Sequence, residues 1–145
     1  MMRIKVLLLA ISILLCTIST FAQEEDQTFK TVTIGVIKDT AFDKVIDYLQ
    51  AKGIFIQSVD KQAGFIQATL FLKNKNILSA KIGERRIMNF ILRPLGDTTS
   101  IVLNIYSEES FTSNDSSQYY KDKGIINDPE IYREILKDLQ NAFNP

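Results

Sequence analysis

The sequence predicts an α+β fold, an antiparallel sheet of five or six strands with two helices on one face. Three observations carry this expectation. Apolar residues alternate with polar ones at Val32, Ile34 and Val36, and again in short runs from Ile54 onward, which is the period of a strand with one buried face. Two stretches, Phe42 to Leu49 and Ile131 to Phe143, repeat instead at helical spacing and give one apolar stripe each. Between the strands, turn residues recur every ten to twelve positions, as in a meander.

The chain opens on a leader. Met1 to Lys5 is short and basic, Val6 to Ile18 is almost wholly apolar, and Thr20-Phe21-Ala22 ends in a small-x-small cleavage pattern. Residues 1–22 are therefore expected to be a signal peptide cleaved after Ala22, and residues 23–145 a single exported domain, periplasmic or extracellular. Lipidation at Cys16 would tie the protein to a membrane, but that signal calls for a small residue before the cysteine, where this chain has Leu15. An uncleaved anchor is a further reading, since Ile4 to Ala22 approaches the roughly twenty residues that cross a bilayer. The small polar residues Ser12, Thr17, Ser19 and Thr20 favour cleavage instead.

After an acidic lead-in at Gln23 to Gln27, Thr31 to Val36 reads as a strand. Phe42, Val45, Ile46 and Leu49 then form a helical stripe, with Thr40 the expected N-cap, Asp43 three residues on, and Gly53 the stop. Ile54 to Asp60 and Phe65 to Leu72 read as a hairpin through Lys61-Gln62-Ala63-Gly64. Ile77 to Ile82 alternates weakly, leaving open whether it is a separate strand. Arg86 to Arg93 and Thr98 to Tyr106 are firmer strands joined by Pro94-Leu95-Gly96-Asp97. From Ser107 to Asn127 periodicity is lost, and a long structureless loop is expected, functional or mobile. Asp128-Pro129-Glu130 has the chemistry of a helix start, and Ile131, Ile135, Leu136, Leu139 and Phe143 form the second stripe.

Within this order, Ala41, Val45, Tyr48, Leu49, Gly53, Ile54, Ile56, Asp60, Gly64, Phe65 and Ile66 make a pattern of helix, Gly, strand, Asp, turn Gly and strand. The pattern resembles small exported bacterial domains with a TATA-binding-protein-like fold (β-α-β4/5-α), and is similar in outline to the helix-grip domains of the outer-membrane assembly lipoprotein BamC. The resemblance implies a fold and carries over no functional residue. The lipidation signal of BamC-type proteins is not matched at Leu15-Cys16.

Composition narrows the chemistry. Cys16, in the leader, is the sole cysteine and the chain has no histidine, so the domain lacks a thiol nucleophile, the usual general base and the commonest zinc ligands. No cofactor or metal is expected, and no catalysis. The whole chain has net charge zero; Arg3 and Lys5 leave with the leader, so 15 Lys and Arg then face 17 Asp and Glu, which argues against a nucleic-acid partner.

The candidate site is a face. If one side of the sheet lies under the helices, the other receives Phe55, Val59, Phe65, Phe71, Ile87, Ile91, Val102 and Tyr106, which is too apolar for a solvated sheet face. Four readings are open: a contact surface for a partner protein or a second copy, a seat for an apolar or lipid-like ligand between the sheet and the 107–127 loop, an interior covered by that loop or by the N-terminal arm, or a bulge that alters the register. Lys73, Lys75, Lys81, Arg85 and Arg86 form a basic cluster, read as a solvated sheet edge. Glu108 and Glu109 are adjacent and would point to opposite faces.

Overall fold

The computed structural model describes residues 29–76 and 78–144. The expectations for residues 1–22, including cleavage after Ala22 and lipidation at Cys16, fall outside the described residues.

Strand β1 (Thr31–Ile34) leads into helix α1 (Lys38–Ala51), followed by β2 (Phe55–Asp60), β3 (Phe65–Lys73), β4 (Lys81–Leu95), β5 (Thr98–Thr112), β6 (Gln118–Ile125) and helix α2 (Pro129–Phe143). All pairing is antiparallel, in the order β1-β5-β4-β3-β2, with β6 also on β5. Among the described residues the fold is thus α+β, a six-stranded antiparallel sheet with two helices.

One face of the sheet supplies the strand half of the core. Val32 and Ile34 of β1, Ile66 and Ala68 of β3, Met88, Phe90 and Leu92 of β4, and Ile101, Leu103 and Ile105 of β5 alternate into a single cluster. Both helices complete that same cluster, α1 through Ala41, Phe42, Val45, Tyr48 and Leu49, and α2 through Tyr132, Leu136, Leu139 and Phe143. The helices therefore lie on one side. Their stripes are turned slightly from the expected ones: Ile46, Ile131 and Ile135 are half-buried, while Tyr132 is wholly enclosed.

Local chemistry explains most boundaries. Asp128 caps α2, its side chain accepting from the Glu130 N–H at 3.0 Å, with Pro129 first in the helix. Gly53, at φ 67°, ends α1. Gly64 is required twice over, by φ 70° and because a Cβ there would stand 2.3 Å from the Leu92 carbonyl oxygen. The expected Thr40 cap is not used: the cap position is Ile37, three residues earlier, and it makes no side-chain cap bond.

One other expectation is corrected, and one open point is resolved. Residues 107–127 are not a structureless loop: β5 continues to Thr112, turns at 113–117 and returns as β6. As for the stretch from Ile77 to Ile82, residues 78–80 lie outside any strand, and Lys81 and Ile82 are the start of β4, which runs to Leu95. The sixth strand is β6.

Strand β5 thus has two neighbours on one edge. Strand β1 takes the stretch from Thr99 to Val102, and the Leu103 N–H donates to the Lys30 carbonyl at 2.8 Å. Strand β6 takes the stretch from Tyr106, and the Ile126 N–H donates to the Ile105 carbonyl at 2.8 Å. The Tyr132 hydroxyl fills the gap, accepting from the buried Ile105 N–H at 3.1 Å and donating to the Ile126 carbonyl at 2.8 Å. Burial raises the phenol's pKa, in keeping with its role as a neutral hydrogen-bonding bridge.

Candidate functional site

Residues directly opposite in an antiparallel pair share a face, so the register maps the helix-free side row by row. One row runs Asp60, Phe65, Ile91, Val102 and Thr31. The next is polar: Ser58, Gln67, Asn89 and Asn104, with the Gln67 amide donating to the Asn89 carbonyl oxygen at 2.9 Å. A third row, Phe55, Thr69, Ile87, Tyr106 and Ile125, crosses five strands from β2 to β6. The fourth holds Phe71, Arg85, Glu108 and Asp122.

Seven of the eight residues expected on this face are there: Phe55, Phe65, Phe71, Ile87, Ile91, Val102 and Tyr106. Val59 is not. One extra residue in β2 between Ile56 and Ser58 makes a bulge, after which Val59 pairs with Ile66 and so sits on the helix side of the edge. The surface is also less continuous than expected, because the row of Gln67, Asn89 and Asn104 divides it into a small patch around Phe65, Ile91 and Val102 and a longer band through Phe55 and Ile87.

That longer band is open at both ends. Phe55 is 69% exposed and Ile125 58%, while Ile87 and Tyr106 between them are half-buried by their neighbours. Ile125 belongs to β6, a strand with no apolar alternation to announce it. No strand of the 107–125 hairpin folds over the face; β5 and β6 lie in the sheet, so the expected ligand seat beneath a 107–127 loop is not formed. Phe71 is partly used internally. A Cβ at Gly83 would come within 2.8 Å of its ring, so the ring rests over that glycine.

The charged end of the sheet is internally paired. On the helix-free side the Arg85 Nε donates to Glu108 at 2.6 Å, and its guanidinium lies 4.2 Å from the centre of the Tyr120 ring. Bonding to Asp122, then burial, raises the Tyr106 phenol. On the opposite side, Glu109 meets Lys81 at 2.7 Å and Lys123 at 3.7 Å, and the bond from Lys81 leads in lowering its pKa. Burial would raise Glu84, but the Arg86 hydrogen bond and charge, with the Ser107 hydroxyl, together hold it below the usual carboxylate range. Glu108 and Glu109 do point to opposite faces, and Lys81, Arg85 and Arg86 of the basic cluster are neutralised by strand neighbours.

The polar turn at 113–117 is closed on itself. Asp115 Oδ1 accepts from the Ser117 N–H at 3.0 Å and hydroxyl at 2.7 Å, and Ser116 takes a positive φ of 66°. Tyr119 stacks on Phe111 at 5.5 Å, so that tyrosine serves the hairpin.

A groove of about 600 Å3 lies elsewhere, along the outer edge of β1, between Thr31, Val32 and Thr33 and the α2 residues Arg133, Leu136 and Lys137. No helix among the described residues is long and apolar enough to cross a membrane.

No protein-family model matches the chain, and no curated protein matches it. Among solved structures it is similar to a DUF4468 family protein from Bacteroides ovatus ATCC 8483, at 10% identity over 79% of this chain and 85% of that one, with a TM-score of 0.45. At that score the likeness is one of outline.

Proposed function

We propose that the chain is an exported, non-catalytic protein-binding module whose contact surface is the helix-free face of the sheet. The observation that carries this is the row Phe55, Thr69, Ile87, Tyr106 and Ile125, which crosses five strands and presents large apolar or aromatic side chains on four of them, without a covering element among the described residues. An apolar band left in water at both ends is characteristic of a surface that meets another surface. Tyrosine and phenylalanine at its centre and margin supply the rigid contact area on which such interfaces rely. The element order, and the strand order β1-β5-β4-β3-β2, support reading the domain as TATA-binding-protein-like in the helix-grip manner of BamC.

The test uses the protein of residues 23–145. Phe55→Ser and Ile125→Ser should leave unfolding cooperative and within about 1 kcal/mol of wild type, because both side chains are mostly exposed already. The same changes should abolish self-association in sedimentation, or the cross-linked partner recovered from the producing cells. Unchanged association in both variants would remove this face from the function. Export is checked by intact mass: the mature species should begin at Gln23, and one beginning at a diacylated Cys16 would replace soluble export with a membrane anchor.

A further inference from the structure

We propose that the free edge of β1 and the neighbouring basic face of α2 form a second docking site, which takes an extended acidic segment of a partner protein as an added strand.

The edge has unpaired backbone. The Leu103 N–H donates to the Lys30 carbonyl, so Lys30 and, two residues on, Val32 and Ile34 turn their backbone groups toward β5. By the same alternation, Thr31 and Thr33 turn theirs outward. Among the described residues these four groups have no hydrogen-bond partner in the fold, and both threonines line the groove. An edge strand with free N–H and C=O groups is a template for a further strand. A cleft between such an edge and a helix is the arrangement in which an extended peptide gains its affinity from the main chain and its specificity from alternate side chains.

The helix wall states the chemistry. Arg133, Lys137 and Gln140 line it with Leu136, while the carboxylate Asp138 of the same helix is held on another side by Lys52 at 2.6 Å. Among the described residues Arg133 is engaged by Glu130 alone, one turn back, an exposed pair that is readily exchanged. Spacing fits as well. Arg133 and Lys137 are four residues apart, about 6 Å along a helix, and alternate residues of a strand are about 6.7 Å apart. Carboxylates at positions i and i+2 of a strand laid on Thr31 and Thr33 therefore repeat at nearly the interval of the two cations. Leu136, Val32 and Phe29 give the floor of the groove an apolar character.

Nuclear magnetic resonance on the protein of residues 23–145 reads the site directly. The probe is an eight-residue peptide with glutamate at alternate positions and valine or threonine between them, titrated at low salt. Expected are shifts of the Thr31 and Thr33 amides, loss of binding when the peptide is N-methylated at alternate residues, and no binding of its lysine counterpart. Arg133→Glu and Lys137→Glu should each weaken binding roughly fivefold or more, since a weak attraction becomes a repulsion. Binding insensitive to N-methylation, or shifts confined to Phe55 and Ile125, would overturn the proposal. Concentration-dependent shifts of Thr31 and Thr33 without peptide would overturn it in favour of a second copy.

Discussion

Tyr132→Phe removes one oxygen and nothing else, which makes it the sharpest test of how the sheet is closed. The ring stays, so no cavity opens and the T-shaped contact with Phe29 at 5.2 Å is kept. What goes is the hydroxyl bridge between Ile105 of β5 and Ile126, the residue after β6. The Ile105 N–H, in a residue with no exposed surface, loses the partner it holds at 3.1 Å, and the Ile126 carbonyl loses the one at 2.8 Å. An orphaned buried N–H costs about 1 to 3 kcal/mol, and the partly exposed carbonyl, which water can reach, about 1 more. The expected loss is therefore about 2 to 4 kcal/mol in urea unfolding, or roughly 8 to 15 °C in Tm for a domain of this size. Hydrogen exchange adds a local readout: the Ile105 amide should lose protection beyond the global change, while the Leu103 amide, bonded to Lys30, should not. A loss below about 1 kcal/mol with Ile105 protection intact would refute the bridging role.

Leu49→Ala and Leu139→Ala should each cost roughly 2 to 5 kcal/mol, because both side chains are fully enclosed between helix and sheet, and a cost below 1 kcal/mol would remove the residue from the core. Gly64→Ala should destabilise by about 2 kcal/mol or more in the same assay, since the added methyl meets the Leu92 carbonyl oxygen at a backbone angle only glycine favours. Burial, then Asp138, push Tyr48 up to about 12 from an ordinary 10.0. Its folded pKa lies above its unfolded one, so the stabilisation is whole below pH 10 and lost as pH rises toward 12. Two units correspond to at most about 2.7 kcal/mol, and about half that is expected because the hydroxyl points at the solvent-exposed Asp138. Unfolding of wild type against Tyr48→Phe across that range should show wild type losing ground, and parallel curves would contradict the shift.

How much could be seen in the sequence depended on whether a segment had a core to face. The strands from Phe65 to Tyr106 lie over the helices, so burial forced Ile66, Ala68, Met88, Phe90, Leu103 and Ile105 to alternate, and period two showed through. Beyond the helices the same strands continue as Glu84, Arg86, Ser107 and Glu109 on one side and Arg85, Glu108 and Asp122 on the other. There the sheet is held by backbone bonds and cross-strand charge pairs, which leave no apolar period to read, and β6 was invisible for that reason. The Gln57 bulge shifted Val59 because a single inserted residue inverts every later side chain in its strand. On the candidate face the apolar residues were legible as leftovers of the alternation. The dividing row of Gln67, Asn89 and Asn104 follows from the same alternation, since each is two residues from an apolar member of that face. Tyr132 was hidden by a stripe of isoleucines on either side, although a tyrosine at helical spacing within an apolar stripe is a signal that a buried hydroxyl has a partner.

The place of β1 in the sheet also bears on the order in which the molecule assembles. It is the first strand among the described residues, yet Thr31 pairs with Val102, about seventy positions later. The hairpins β2–β3, β3–β4 and β4–β5 can zip locally, each closing a short loop, whereas β1 has nothing to pair with until β5 exists. As the chain is made or threaded, Val32, Ile34 and the apolar stripe of α1 emerge first and remain unsatisfied until nearly the whole domain has followed. A chaperone or a slow release would matter most in that interval, and a truncation ahead of β5 would leave a sticky fragment rather than a smaller domain.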